Sequence, residues 1–291
     1  MNSIFQYGGV QANPLYNCSS KTSEEWTEQL GTKRPLLGVV VMLFGIFIEI
    51  IYVPCLCAIY KRRLLQHSCY KIMFLLGVTD MIATCGWVCS CALTLMLIIN
   101  RISDILVPHI SAIVFSRSYS WIVILIPIVY TIAVIFFTPA ILFNSTVMAW
   151  IGDPRIHDNM SGYYYNPIQN CNNVVFITGT IFFYGAYCFF MRKKQRGFKV
   201  FIQSTLICSI NCSSALVYSM MMFVTPNEYI VLFGELAWSL VHGCPAIIYL
   251  TMNQTIRQEV LSWFRKKSAV VQRSDLLSSQ LQSRAINNNA R

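Results

Sequence analysis

Residues 72–99 read IMFLLGVTDMIATCGWVCSCALTLMLII and close on Asn100 and Arg101. A helix that crosses a bilayer needs roughly 20 mostly apolar residues. This run is longer than one such span. At 1.5 Å per residue it supplies only about 42 Å of helix, too little for two. How it is counted decides the topology of everything after it.

Five further apolar runs flank it: Pro35 to Tyr60, Tyr119 to Phe143, Val174 to Met191, Val200 to Val224 and Ile230 to Met252. Hydrophobic residues make up 55% of the 291, charged residues only 12%, and mean hydropathy is +0.53. A soluble domain carries about twice that charge. Period-two alternation is absent and the runs are too long for barrel strands, so helices follow. The fold class is an all-α polytopic membrane helix bundle, and membrane lipid is its first partner.

The charge is sorted. Of 22 Lys and Arg, 16 fall in Lys61 to Lys71, Arg192 to Lys199 and the tail after Asn253. A net charge of +10 could suit nucleic acid. Clustering at span ends fits the positive-inside rule and the anionic inner leaflet better, so no nucleic-acid partner is expected. Residues 1–34 are polar, and the first run is too long for a cleaved signal; it reads as a signal-anchor that leaves the N-terminus outside and the C-terminus in the cytoplasm. The expected organisation is an extracellular segment over 1–34 and a transmembrane bundle over 35–252. An amphipathic juxtamembrane helix follows over 253–267, then a disordered cytoplasmic tail over 268–291, rich in Ser, Gln and Asn. In the juxtamembrane helix Ile256, Val260, Leu261, Trp263 and Phe264 share a face. Sequons at Asn17, Asn144 and Asn159 fall in segments read as outside, where glycosylation occurs. Cys18 and Cys171 are the cysteines in those segments. An oxidising compartment allows a disulfide between them, which spacing alone does not decide.

Parity then fails. With one crossing per run, the loop from Asn144 to Asn173, with its sequons and single Arg155, would be cytoplasmic. The loop from Arg192 to Lys199, with five basic residues, would be outside. Both violate the positive-inside rule. The chain must cross an even number of times between Lys71 and Ser118. A span from Met96 to Phe115 would bury Asn100, Arg101 and Asp104 at a cost of several kcal/mol. The reading that remains is a missing segment near Cys85 to Val88. The first half of the run starts one helix and Trp87 to Arg101 ends the next, giving an incomplete seven-helix bundle with about six apolar runs.

The residues around this junction resemble the nematode serpentine receptors of class T. The likeness covers roughly residues 30 to 265. It rests on Tyr52 to Cys55, Ser68 to Met73, Leu76 to Met81, Asn100-Arg101, Tyr165-Asn166 and Asn172-Asn173. Most specific are Trp238, His242 to Pro245, Ile248 to Leu250 and Asn253 to Arg257. The resemblance implies a seven-helix chemosensory receptor in the plasma membrane, sensory cilia included, that signals to a heterotrimeric G protein. It also implies that this chain lacks the second half of helix two, the first outer loop and the first half of helix three. A cysteine that such receptors bond to the second outer loop goes with them, which removes the usual partner of Cys171.

Three acids lie inside apolar runs: Glu49, Asp80 and Glu235. A charge at bilayer depth costs roughly 2.5–3.5 kcal/mol, so it faces the bundle interior. Asp80 stands where seven-helix receptors place an acid that binds sodium or water; a neutral packing acid is the plainer reading. Glu235, Trp238 and His242 share a helix face at i, i+3, i+7 and are candidate ligand contacts, Glu235 toward a cation. A hydrogen-bonded interhelical stripe competes. Glu49 has no evident partner. By the resemblance, Asn100 and Arg101 form the G-protein face, against an ordinary snorkelling arginine. Pro245 and Tyr249 resemble a helix-seven switch with one residue more between them than the common pattern; a bare proline kink explains them almost as well. Pro127 and Pro139 are expected kinks.

No nucleophile elbow, zinc-protease motif or phosphate loop occurs, and the four histidines are scattered, so neither enzyme activity, metal nor cofactor is expected. The leading function is a receptor for an unknown small molecule. A shortened, non-signalling product is the second reading. A transporter or channel is the third, weakened by the absence of repeated halves.

Overall fold

The computed structural model describes residues 6–265 except 10–11, 32, 62, 83–86, 117, 145–147, 154–155, 158–160, 192–197, 222–226 and 264. A short helix α1 (Ser23–Leu30) starts on a Thr22–Glu25 capping box. Next along the chain are α2 (Pro35–Lys61), α3 (Ser68–Ile82), α4 (Trp87–Leu106), the short α5 (Pro108–Val114), and α6 (Tyr119–Phe137). Strands β1 (Leu142–Asn144) and β2 (Ala149–Ile151) form an antiparallel hairpin in which Phe143 faces Trp150. The helical turn α7 (Ser161–Tyr164) leads to α8 (Pro167–Met191), α9 (Phe198–Met221) and α10 (Glu228–Met252). A final helix, α11, covers 254–263. Among the described residues five helices are long and apolar enough to cross a membrane: α2, α4, α6, α8 and α10. The all-α membrane bundle read from the apolar runs is the fold.

The decisive stretch is two helices. α3 has 15 residues, about 22 Å of helix, against 27 residues and about 40 Å for α2. A hydrocarbon core is about 30 Å thick, so α3 cannot cross it. α3 and α4 run antiparallel. Asn100 Nδ2 near the end of α4 donates to Ser68 Oγ at the start of α3 at 3.1 Å. Ser90 Oγ near the start of α4 donates to Asp80 Oδ1 near the end of α3 at 2.9 Å. The pair therefore returns to the end of the bundle from which it rose, and as an antiparallel hairpin it adds no net crossing.

The two ends of the bundle are distinct. At one end the N-terminal segment is tied to the loop after α6. Tyr16 Oη donates to the Ala140 carbonyl at 3.3 Å, and Tyr164 Oη donates to the Leu15 carbonyl. The Tyr16 and Tyr164 rings lie 5.7 Å apart. Asn166 Nδ2 reaches the Pro139 carbonyl at 3.1 Å. At the other end Lys61 lies 5.1 Å over the Trp263 ring, and Tyr70 Oη meets Asn253 Oδ1 at 3.5 Å. Lys71, only 2% exposed, donates to Ser120 Oγ at 2.6 Å and lies 5.0 Å over Trp121, fixing the start of α6 beside the start of α3.

Several boundaries and faces differ from expectation. α8 begins at Pro167 rather than Val174, because Asn166 Oδ1 accepts from the Gln169 amide and starts the helix among polar residues. α6 ends at Phe137, so Pro139 follows the helix and does not kink it; Pro127 lies inside. In α11 Ile256 and Val260 are buried, but Leu261 is 46% exposed, because the helix turns that position away from α2. Phe264, the loop over 192–197 and the tail over 268–291 lie outside the described residues.

Candidate functional site

Asp80 sits where α2, α3, α4 and α10 meet, and it is 4% exposed. Its two carboxyl oxygens accept from three neighbouring helices. Tyr52 Oη donates to Oδ2 at 2.8 Å, Ser90 Oγ to Oδ1 at 2.9 Å, and His242 Nδ1 lies 2.9 Å from Oδ1. In a low-dielectric core an unpaired carboxylate is costly, and hydrogen bonds to an ionised group are the strong ones. Asp80 is thus a hub that ties the short α3 to three full-length neighbours.

A close backbone approach makes the hub reachable. A Cβ on Gly77, one turn before Asp80, would stand 2.8 Å from Leu56 Cδ2 and 3.1 Å from Tyr52 Cε1. Only glycine lets α3 lie this near α2. On α10, Gly243 does the same against Ile48, at 3.0 Å.

From the hub, rings lead outward. His242 packs edge-on against Trp238 with centroids 4.8 Å apart. Trp238 lies 6.0 Å from Trp150 of β2, and Trp150 lies 5.5 Å from Phe143 of β1. Spacings of 4.5–7 Å in tilted or edge-on geometry are those that aromatic pairs favour. Beside this row Glu235 is buried; it accepts from Tyr218 Oη of α9 at 3.4 Å and from the Trp150 backbone amide. Glu235, Trp238 and His242 therefore do line one face, as their spacing implies, and the outer hairpin covers them.

Inward lies Tyr249, fully buried, between the Asp80 carboxylate and Arg101. Its hydroxyl has no hydrogen-bond partner among the described residues, and neither have Thr94 Oγ1 and Asn100 Oδ1. Arg101 is half-buried, bonds to the Cys69 thiol and faces Tyr187 and Tyr249. Pro245 is buried one turn before Tyr249. Asn100 is 0% exposed and its amide holds Ser68, so it joins the end of α4 to the start of α3.

The outer candidates are mixed. Asn17 is half-buried, and its Oδ1 accepts from the Ser19 amide at 2.9 Å. Asn144 ends β1, and Asn159 lies outside the described residues. Cys18 and Cys171 are both free and exposed, and no disulfide joins them. Cys18 lies by Trp26 and Tyr164, whereas Cys171 on α8 lies by Tyr130 of α6, so they face different neighbours.

Three features carried no warning in the sequence. Tyr52 and Ser90 lie 28 and 10 positions from Asp80, with nothing local to announce the pairing. Trp150 reaches Trp238 only because the hairpin folds inward. An apolar cavity of about 380 Å³ lies among α4, α5 and α6, lined by Met96, Ile99, Ile110, Phe115, Ile126 and Tyr130, and it touches none of the predicted ligand residues. Among the described residues no cluster of His, Cys, Asp or Glu could hold a metal.

The family model for the serpentine type 7TM GPCR chemoreceptor Srt matches residues 3–86 and again residues 81–273. The two pieces overlap at 81–86, where α3 gives way to α4. The chain is also similar to serpentine receptor class T-55 of Caenorhabditis elegans, with 23% identity over 86% of this chain and 80% of that protein. Of 291 residues, 86% is about 250, against 296 aligned positions, so about 46 of those positions have no residue in this chain.

Proposed function

The chain belongs to the serpentine type 7TM GPCR chemoreceptor Srt family, a multi-pass membrane protein, and from that premise we propose that it binds a small ligand beneath the outer hairpin and signals to a heterotrimeric G protein at the opposite end. Its N-terminus is outside and its C-terminus cytoplasmic. The observation that carries this reading is the continuous row Phe143, Trp150, Trp238, His242, Asp80. A ligand that displaces Trp150 from Trp238 alters the packing on His242, and His242 is bound to the hub that holds α2, α3 and α4 to α10. Glu235 offers a ligand cation a buried carboxylate. Asp80 serves as the core polar centre, with His242 in the position beside it that a sodium ion would need. Tyr249 and Arg101 are the groups that a shift of α10 would move on the G-protein side, near the Pro245 kink. A ligand shifts such an equilibrium only by its differential affinity for the two arrangements.

The test is nucleotide exchange on purified G protein by the chain in lipid nanodiscs, screened with small amines and neutral odorants. Ligand-dependent exchange that Trp150→Ala abolishes supports the reading. Ligand-dependent solute or ion flux without exchange overturns it in favour of a transporter.

A second reading rests on α3 itself. Its 15 residues, the split family match and the unmatched positions of the relative support a shortened product that does not signal. Transcript reads across codons 82–87 test it. Contiguous reads matching this chain, with wild-type surface levels and G-protein exchange, count against it.

A further inference from the structure

Gly38, Met42, Gly45, Glu49, Tyr52 and Leu56 of α2 are spaced alternately four and three residues apart, and so share one face of the helix. The inner end of this face is packed: Tyr52 and Leu56 close on Gly77 of α3. Two turns further out the same azimuth carries Gly45 and Glu49. There α3 gives out. Ile82 lies five residues beyond Gly77, about 7–8 Å along the helix and about level with Glu49. Outward of that level Met42 is 56% exposed, and a Cβ on Gly45 would meet no atom of the described residues within 4 Å.

Glu49 stands near the middle of a 27-residue span. It is half-buried, and among the described residues it has neither hydrogen bond nor ion pair. Lipid tails offer a carboxyl group nothing. A carboxyl group is complementary to itself: the O–H of one donates to the carbonyl of another. An acid on a two-fold axis meets its own copy, and a two-fold interface places each residue against the same patch of its partner. A glycine one turn away lets two backbones approach closely, as small residues do at interfaces between membrane helices.

We propose that the outer half of α2 is the docking face for a second copy of this chain. The two α2 helices cross along the Met42, Gly45, Glu49 stripe, Gly45 sets the close approach, and the paired Glu49 carboxyls lie on the axis. The occupant is a second copy because one group must supply both donor and acceptor at the same depth. Phe47 is 54% exposed but lies on the opposite side of the helix, outside the contact.

The experiment is disulfide crosslinking in native membranes of full chains carrying Met42→Cys or, as control, Phe47→Cys. Both positions are exposed, so neither change disturbs packing. The expected result is a crosslinked dimer with Met42→Cys above the wild-type background, and no increase over that background with Phe47→Cys. Adding Glu49→Leu or Gly45→Leu lowers the Met42→Cys dimer about fivefold, the loss of roughly one interhelical hydrogen bond in a membrane. Glu49→Gln, whose amide is also self-complementary, retains it. No dimer with Met42→Cys, equal dimer with Phe47→Cys, or a dimer indifferent to Glu49→Leu at equal surface level overturns the proposal. None of these readouts depends on signalling.

Discussion

Asp80 and His242, 162 positions apart in the chain, meet at 2.9 Å with the carboxyl group wholly shielded and the imidazole 6% exposed. α3 is held in the core by the buried Ile72, Met73 and Leu76, and near its end by this pair and the Tyr52 and Ser90 hydroxyls.

Asp80→Leu removes the acceptor for three buried donors at once. Breaking a buried pair by deleting one partner costs about 3–5 kcal/mol. The expected outcome is a clear fall in thermal stability in nanodiscs, larger than that of Ser90→Ala or Tyr52→Phe. A double-mutant cycle with His242→Phe checks the pair: a coupling at or above roughly 0.6–1.7 kcal/mol, the range for interhelical hydrogen bonds in membranes, is expected.

Gly77→Ala forces a methyl group against Leu56 Cδ2 and Tyr52. Overpacking of this kind costs about 1–3 kcal/mol. Surface level and thermal stability should both fall, and Leu56→Ala in the same chain should recover most of the loss. Thermal unfolding of the single and double variants is the measurement.

Trp238→Ala breaks the ring row at its centre, between Trp150 and His242. Each aromatic pair is worth about 0.5–1.5 kcal/mol beyond its buried area. Hydrogen exchange should rise in residues 142–151 and leave residues 68–74, at the far end of α3, unchanged.

Glycans are expected at Asn17, Asn144 and Asn159, and none at the sequon-like Asn211 within α9 or Asn253 at the end of α10. Glycosidase digestion of single Asn→Gln variants reads this directly. Protection of Asn144 and Asn159 from glycosylation in folded surface protein would invert the bundle.

Much of the bundle was legible because its cause is local. Runs such as Pro35 to Tyr60 and Ile230 to Met252 are long and apolar in themselves, and α2 and α10 follow them to within a few residues. That residues 72–99 belong to two helices could be anticipated because charge between spans must keep its side, a constraint on the whole chain that counting exposes. The ring contact of Trp238 with His242 was latent in their shared helix face. What stayed hidden was long-range. Ser90 and Tyr52 are ordinary span residues until α3 brings Asp80 to them. Asn100 was singled out with Arg101 by the resemblance alone; that its amide would hold Ser68 depends on which side of α4 meets α3, which packing fixes. Cys18 and Cys171 were read together because both lie outside, whereas their neighbours keep them apart. Trp150 gave no notice of its role, since a hairpin's fold-back onto another helix leaves no periodic trace.

The ties from Tyr16 and Tyr164 have a practical consequence. They stitch the leading segment to the same lid that carries Trp150, so whatever lifts the lid must also tug on residues 13–18. A fluorophore attached at Cys18, which is exposed and free, would therefore report movement of the hairpin from a site outside it.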